Sequence, residues 1–235
     1  MTAACLFQTT IVVVLALAQM EQPGIQLRSP AADLLYPKSG AALSLRQVEE
    51  RTSQGDSAVE VITSSVYRDS AGRLRIDSES RRNSNEPSFS RVIIDPLAGL
   101  RVGLLSEKET AYRIVGPKLG EDGLALGVAG LGEGLEASHK WQTTMEDLGK
   151  RRIDGAEFTG TRVVQTAQDN SGMRNTIEKW YSSDLGLTAL AEAVGPYGHH
   201  SARIEDLRFG EPDPNLFSVP SHYKILDINL RSETK

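Results

Sequence analysis

From residue 42 to residue 228 the chain falls into segments of about 6–11 residues, a length usual for strands, that are rich in Val, Ile, Thr and Tyr and end in clusters of Gly, Pro, Asp, Asn or Ser. Within them apolar and polar positions alternate, the period of two that marks a half-buried strand. Residues 73–80 show it most cleanly: Leu74 and Ile76 fall on one face, and Arg73, Arg75, Asp77 and Glu79 on the other. In 57–68, Val59, Val61, Thr63, Ser65 and Tyr67 share a face. The pattern predicts strands at 42–52, 57–68, 73–80, 88–94, 100–106 and 110–115, then at 144–153, 156–168, 176–183, 187–194, 201–209 and 223–228. Asp69 to Gly72, Asp154-Gly155 and Asp184 to Gly186 read as turns, because Asp bonds its own downstream backbone and Gly accepts positive φ. Residues 210–217 read as a turn or a single helical turn. About six antiparallel strands thus precede Pro117, and a second set of similar rhythm follows without a residue-level repeat, as in one domain rather than an array.

Two stretches break the strand rhythm. Between Leu119 and Leu135 six glycines alternate with Leu, Val and Ala, too little side-chain bulk to offset the entropy of ordering. They read as a mobile loop, some of which, with residues 136–145, could form a short helix. At the start, residues 1–20 carry no charged side chain, and Ile11 to Ala18 is an unbroken apolar run. A run this short does not span a bilayer, which takes about 20 apolar residues. With Ala16 and Ala18 placed for a signal peptidase, residues 1–18 read as a secretory signal. Residues 19–40, broken by Pro23, Pro30 and Pro37, read as an extended lead-in, and residues 41–235 as one domain. The mature chain is expected in the periplasm or secreted, with no transmembrane segment.

Composition narrows the function. The one cysteine, Cys5, precedes the apolar run, so the mature chain holds no thiol for a disulfide or metal site. Its formal net charge of −5, with both signs interspersed, excludes the basic stripe a nucleic-acid partner requires. Four histidines are present, but neighbours on a strand, such as His199 and His200, point to opposite faces and cannot readily share a metal. Neither a zinc-binding spacing nor a nucleophile-elbow motif occurs. Asp95, Asp154, Glu211 and Asp213 flank Pro or Gly, where a carboxylate serves the turn rather than acid–base work. No catalytic residue, metal or cofactor is therefore expected. Among 13 aromatic residues (Trp 2, Tyr 6, Phe 5), Trp141, Phe158, Trp180 and Tyr181 are the candidates for a ligand cavity. The competing role, core packing, is the commoner use of large aromatics.

The order of motifs carries a resemblance. Arg68-Asp69 with Gly72-Arg73, Arg152-Ile153-Asp154-Gly155, Thr159 to Arg162, Lys179 to Ser182, Asp184 to Leu187, Gly210 to Pro214, Leu216 to Pro220 and Tyr223 resemble a group of uncharacterised exported bacterial proteins. The layout is also similar to the LolA-like class of lipoprotein carriers and lipid-binding half-barrels. That resemblance implies an all-β fold, a single strongly curved antiparallel sheet with few short helices and an apolar concave face. It implies a non-enzymatic envelope protein whose partners are a lipid or other apolar ligand, or another envelope protein. The alternative is a scaffolding protein whose concavity is filled by its own side chains.

Overall fold

The computed structural model describes residues 41–116 and 141–228, apart from 54, 56, 57, 84, 85, 169, 170 and 197. The expected signal, lead-in and Gly-rich stretch lie outside the described residues. Twelve strands form: β1 (Leu43–Ser53), β2 (Val59–Arg68), β3 (Leu74–Arg82), β4 (Ser88–Asp95), β5 (Leu100–Leu105), β6 (Thr110–Val115), β7 (Trp141–Ile153), β8 (Ala156–Ala167), β9 (Arg174–Ser182), β10 (Leu187–Gly195), β11 (Gly198–Phe209) and β12 (Lys224–Ile228). Each matches a segment that the alternation predicts. Helix is confined, among the described residues, to two 3₁₀ turns at Ser106–Lys108 and Pro214–Phe217. The helix expected at 136–145 is contradicted where the chain is described. Trp141 to Met145 belong to β7 and pair with Val163 to Ala167 of β8, an arrangement that favours the β-branched Thr143 and Thr144 over helix.

All twelve strands make one sheet in the order β12-β6-β5-β4-β3-β2-β1-β11-β10-β9-β8-β7. The sheet is curved and unclosed, an all-β half-barrel. Neighbouring strands run antiparallel except β12, which lies parallel to β6. A parallel neighbour needs a crossover, and residues 210–223 supply it. They cross the outer face of β3 to β6, where Val219 and Tyr223 pack on Ile93, Val102, Leu104 and Ala111. Phe217 is buried there under the Arg73 guanidinium, 5.0 Å from its ring.

The curl is evident from bonds between distant strands. Asp154, in the β7–β8 turn, lies three strand spacings from β11, roughly 14 Å on a flat sheet. Its Oδ2 nevertheless accepts the Leu207 N–H at 3.3 Å. Register shifts at Ser44/Arg46, Thr188/Leu190 and Asp147/Gly149 supply the local bending that extra residues in a ladder produce. At the curled end, called the base here, Leu43, Leu45, Val66, Leu74, Ile76, Val92, Ile94, Phe158, Trp180, Leu187, Ile204 and Leu207 form one contiguous core.

Candidate functional site: a wall that changes polarity

The strand registers assign the inner face row by row. Nearest the base, Leu43, Arg68, Leu74 and Ile94 lie abreast on β1 to β4, and the next row is Leu45, Val66, Ile76 and Val92. One step further from the base the same face turns polar: Gln47, Ser64, Ser78 and Ser90 stand in line, and Ile204 of β11 joins them. The following row runs Lys179, Ala191, Ala202, Glu49, Ile62, Ser80, Ser88 across β9 to β4, and the last runs Ile177, Ala193, His200, Arg51, Glu60, Arg82. Along β1 to β4 a single continuous surface therefore changes from Leu, Val and Ile to Gln and Ser within two residues, with Glu and Arg entering in the rows beyond.

The apolar rows are closed by their own side chains, with Leu43, Val66, Leu74, Phe158 and Leu187 having no accessible surface. Above them Ala191, Ala193, Ala202, Ser64 and Ser78 make a floor of small side chains. Half-buried Ile62 and Ile177 flank this floor and retain some accessible apolar surface.

A charge network stands on the floor. Glu49 is 4% exposed, Gln47 1%. The Glu49 carboxylate accepts from Gln47 Nε2 and, at 2.5 Å, from Arg51 Nη2. The His200 Nε2 is 3.5 Å from Glu49 Oε2, beyond a good hydrogen bond. Arg51 and His200 keep 18% and 19% of their side-chain surface. Serine hydroxyls extend the network: Ser64 and Ser78 bond at 2.7 Å, and Ser80 donates to Glu60 at 2.9 Å. Burying a carboxylate is tolerated only when it is paired and hydrogen-bonded, which Glu49 is. Buried polar atoms without a hydrogen-bond partner include Arg51 Nε, His200 Nε2 and Asn175 Oδ1 on this side of the molecule and Arg68 Nη1 at the base. Asn175 lies against Gly195, the residue whose missing Cβ leaves room for it.

At the base, the motifs that carry the sequence resemblance prove to be joints. Arg68, 1% exposed, donates from Nε to the Ala41 carbonyl at 2.9 Å and from Nη2 to the Leu185 carbonyl at 3.0 Å. Burial pushes its guanidinium below its usual pKa. The Asp69 carboxylate accepts from the Arg73 N–H at 2.8 Å and from Arg73 Nε at 2.6 Å. Glu211 accepts the Ser70 N–H, and Asp213 caps the 3₁₀ turn through the Asn215 N–H at 2.9 Å. The lead into β1, the β2–β3 turn, the β9–β10 turn and the crossover are thus tied together at the base.

Of the aromatic candidates, Phe158 and Trp180 lie in the core. Trp180 donates Nε1–H to Glu178 at 2.9 Å, covers Gly160 and carries Arg151 at 4.0 Å above its ring. Trp141 is half-buried at the start of the edge strand β7, opposite Ala167. Tyr181 is half-buried with Lys179 5.0 Å from its ring. These four do not converge on one patch. His199 faces away from His200, reaching Glu192 at 3.0 Å, and among the described residues no three His, Cys, Asp or Glu side chains could hold a metal ion. An open depression of about 330 Å³ on the outer face is lined by Arg46, Val61, Thr63, Glu79 and Arg81, a mixed-charge surface. The sequence alone does not single out Gln47, Glu49 and Arg51, and it weighs His200 only as a metal ligand. The signal for the three on β1 was available, because 47, 49 and 51 continue the parity of Leu43 and Leu45, which makes them polar residues on the apolar face of β1.

No family model matches the chain, and no curated protein does. Solved structures similar to it include MucB in complex with MucA from Pseudomonas aeruginosa, at 14% identity and a TM-score of 0.40, covering 85% of this chain and 61% of that one. A LolA superfamily protein from Nitrosomonas europaea is 7% identical with a TM-score of 0.33, covering 80% and 94%. A beta-barrel-like domain of unknown function from Brucella abortus is 9% identical with a TM-score of 0.33, covering 74% and 99%. The chain spans about six-tenths of the length of the MucB structures.

Proposed function

We propose that this chain is a non-enzymatic, extracytoplasmic binding protein that holds a lipid or another molecule with an apolar tail against the inner wall of its half-barrel. The observation that supports the reading is the change of polarity along one face. A purely structural sheet buries apolar side chains inward and has no use for a carboxylate, an arginine and an imidazole on that face, given the cost of burying them. An amphiphile presents the matching order of apolar and polar parts. Its tail would lie on the small floor against Ile62 and Ile177, each buried methylene contributing about 0.8 kcal/mol. Trp141 and Tyr181 would border it, while Phe158 and Trp180 would support the floor from the core. The envelope location rests on the apolar run at residues 11–18. No helix among the described residues is long and apolar enough to cross a membrane.

Native mass spectrometry of the protein purified from the envelope of an expressing bacterium tests this. The reading expects a population heavier than the chain by an acyl-bearing ligand that collisional activation releases. A clean apo mass, under conditions in which a known lipid carrier retains its ligand, would contradict it.

One observation favours a second reading. The apolar end of the hollow is filled by its own side chains, as expected of a scaffold that works through an envelope protein partner. The same experiment separates the two, since a scaffold flies without lipid.

A further inference from the structure

Resting on that reading, we infer that the ligand's polar end carries an anionic oxygen, a carboxylate or a phosphate, and that Arg51 and His200 receive it. The way Arg51 meets its neighbour is the first ground. Two arginines elsewhere, Arg75 and Arg113, hold Asp77 and Asp227 with Nε and Nη2 together, a fork that leaves the Nε paired. Others, such as Arg46 and Arg81, make a single contact but stand largely in solvent. Arg51 has neither outlet. Only its Nη2 reaches Glu49, and its Nε is buried without an acceptor.

His200 repeats the pattern from the adjacent strand. It stands directly opposite Arg51 in the β1–β11 register, and its Nε2 is buried without a hydrogen bond, 3.5 Å from the carboxylate. A buried polar atom left unpaired costs about 1–3 kcal/mol. Arg51 Nε is a donor in every state and His200 Nε2 is one when the ring carries its proton there, so a single anionic oxygen between them would satisfy both. Glu49 does not fill that role: its Oε2 takes Arg51 Nη2 and stands 3.5 Å from His200 Nε2, leaving Arg51 Nε without an acceptor.

Three probes with the same 16-carbon chain test the inference: palmitate, hexadecyl phosphate and hexadecanol, titrated against the wild-type chain, Arg51→Gln and His200→Gln. At least one anionic probe is expected to bind about tenfold or more tightly than hexadecanol, the worth of one charged hydrogen bond. Whether palmitate or the phosphate leads identifies the source of the oxygen. Either substitution should remove most of that preference and leave hexadecanol affinity in place, which also shows that the variant is folded. Equal binding of the three probes, or a preference that survives both substitutions, overturns the anionic head while leaving the apolar-ligand reading intact. Failure of all three to bind overturns both.

Discussion

Gly160 and Trp180 face each other across β8 and β9, and the flat indole lies where any side chain at 160 would begin. A Cβ there would sit 2.7–2.8 Å from three ring carbons, and the ring is held by its bond to Glu178 and by Arg151 above it. Gly160→Ala is therefore expected to destabilise by about 1–3 kcal/mol, the usual cost of overpacking, measured by denaturant unfolding. The same cluster controls part of the acid response. The N–H bond from Trp180, helped by Arg162, holds the Glu178 carboxyl below its ordinary value. A carboxylate lowered on folding contributes stability above its unfolded pKa and loses it as pH falls through the folded one. Glu178→Gln should thus flatten the fall of the melting temperature on the acid side and leave the profile above neutral pH parallel to wild type. An unchanged acid limb would show that the carboxylate carries no such share.

At the scale of elements, the base of the half-barrel depends on joints rather than on bulk. Arg68→Met keeps the volume of the side chain but deprives the Ala41 and Leu185 carbonyls of their donor, so a loss of about 1–3 kcal/mol is expected. The crossover of residues 210–223 has a different task, covering the outer patch of Ile93, Val102, Leu104 and Ala111. Ending the chain at Phe209 would uncover that patch and remove β12. Binding of a hydrophobic dye and a lower melting temperature should follow, while β1–β2 and β9–β10 pairing persists in the circular dichroism spectrum. The strands themselves were legible, because the period of two and the Asp–Gly turns are local signals. The crossover was legible only as a turn at 210–217. That β12 runs parallel to β6 depends on a contact between residues 224 and 110, which no local pattern encodes. The strand residues 141–143 fall outside the predicted segment for a related reason: pairing with β8, not local composition, decides their conformation.

For the molecule as a whole, the sequence motifs and the candidate site lie apart. Motifs such as Arg68 to Arg73 and Asp184 to Leu187 hold the base together, so they report the fold and say little about a ligand. The polarity change on the inner wall was encoded throughout. It became visible only when the registers placed Gln47, Glu49 and Arg51 beside Ser64, Ser78, Ala202 and His200, from strands up to about 150 residues away in sequence. Aromatic residues are rare in this chain, yet Phe158 and Trp180 lie within the core rather than on an open surface. The account stands on that wall being the surface a ligand touches. A photoactivatable 16-carbon fatty acid, cross-linked to the chain and mapped by peptide mass spectrometry, tests it most directly. Adducts on the inner-face positions of β1, β2, β10 and β11, such as Ile62, Ala193 and His200, are the expected result; adducts confined to outer-face positions such as Val61, Thr63 and Glu79 would contradict it.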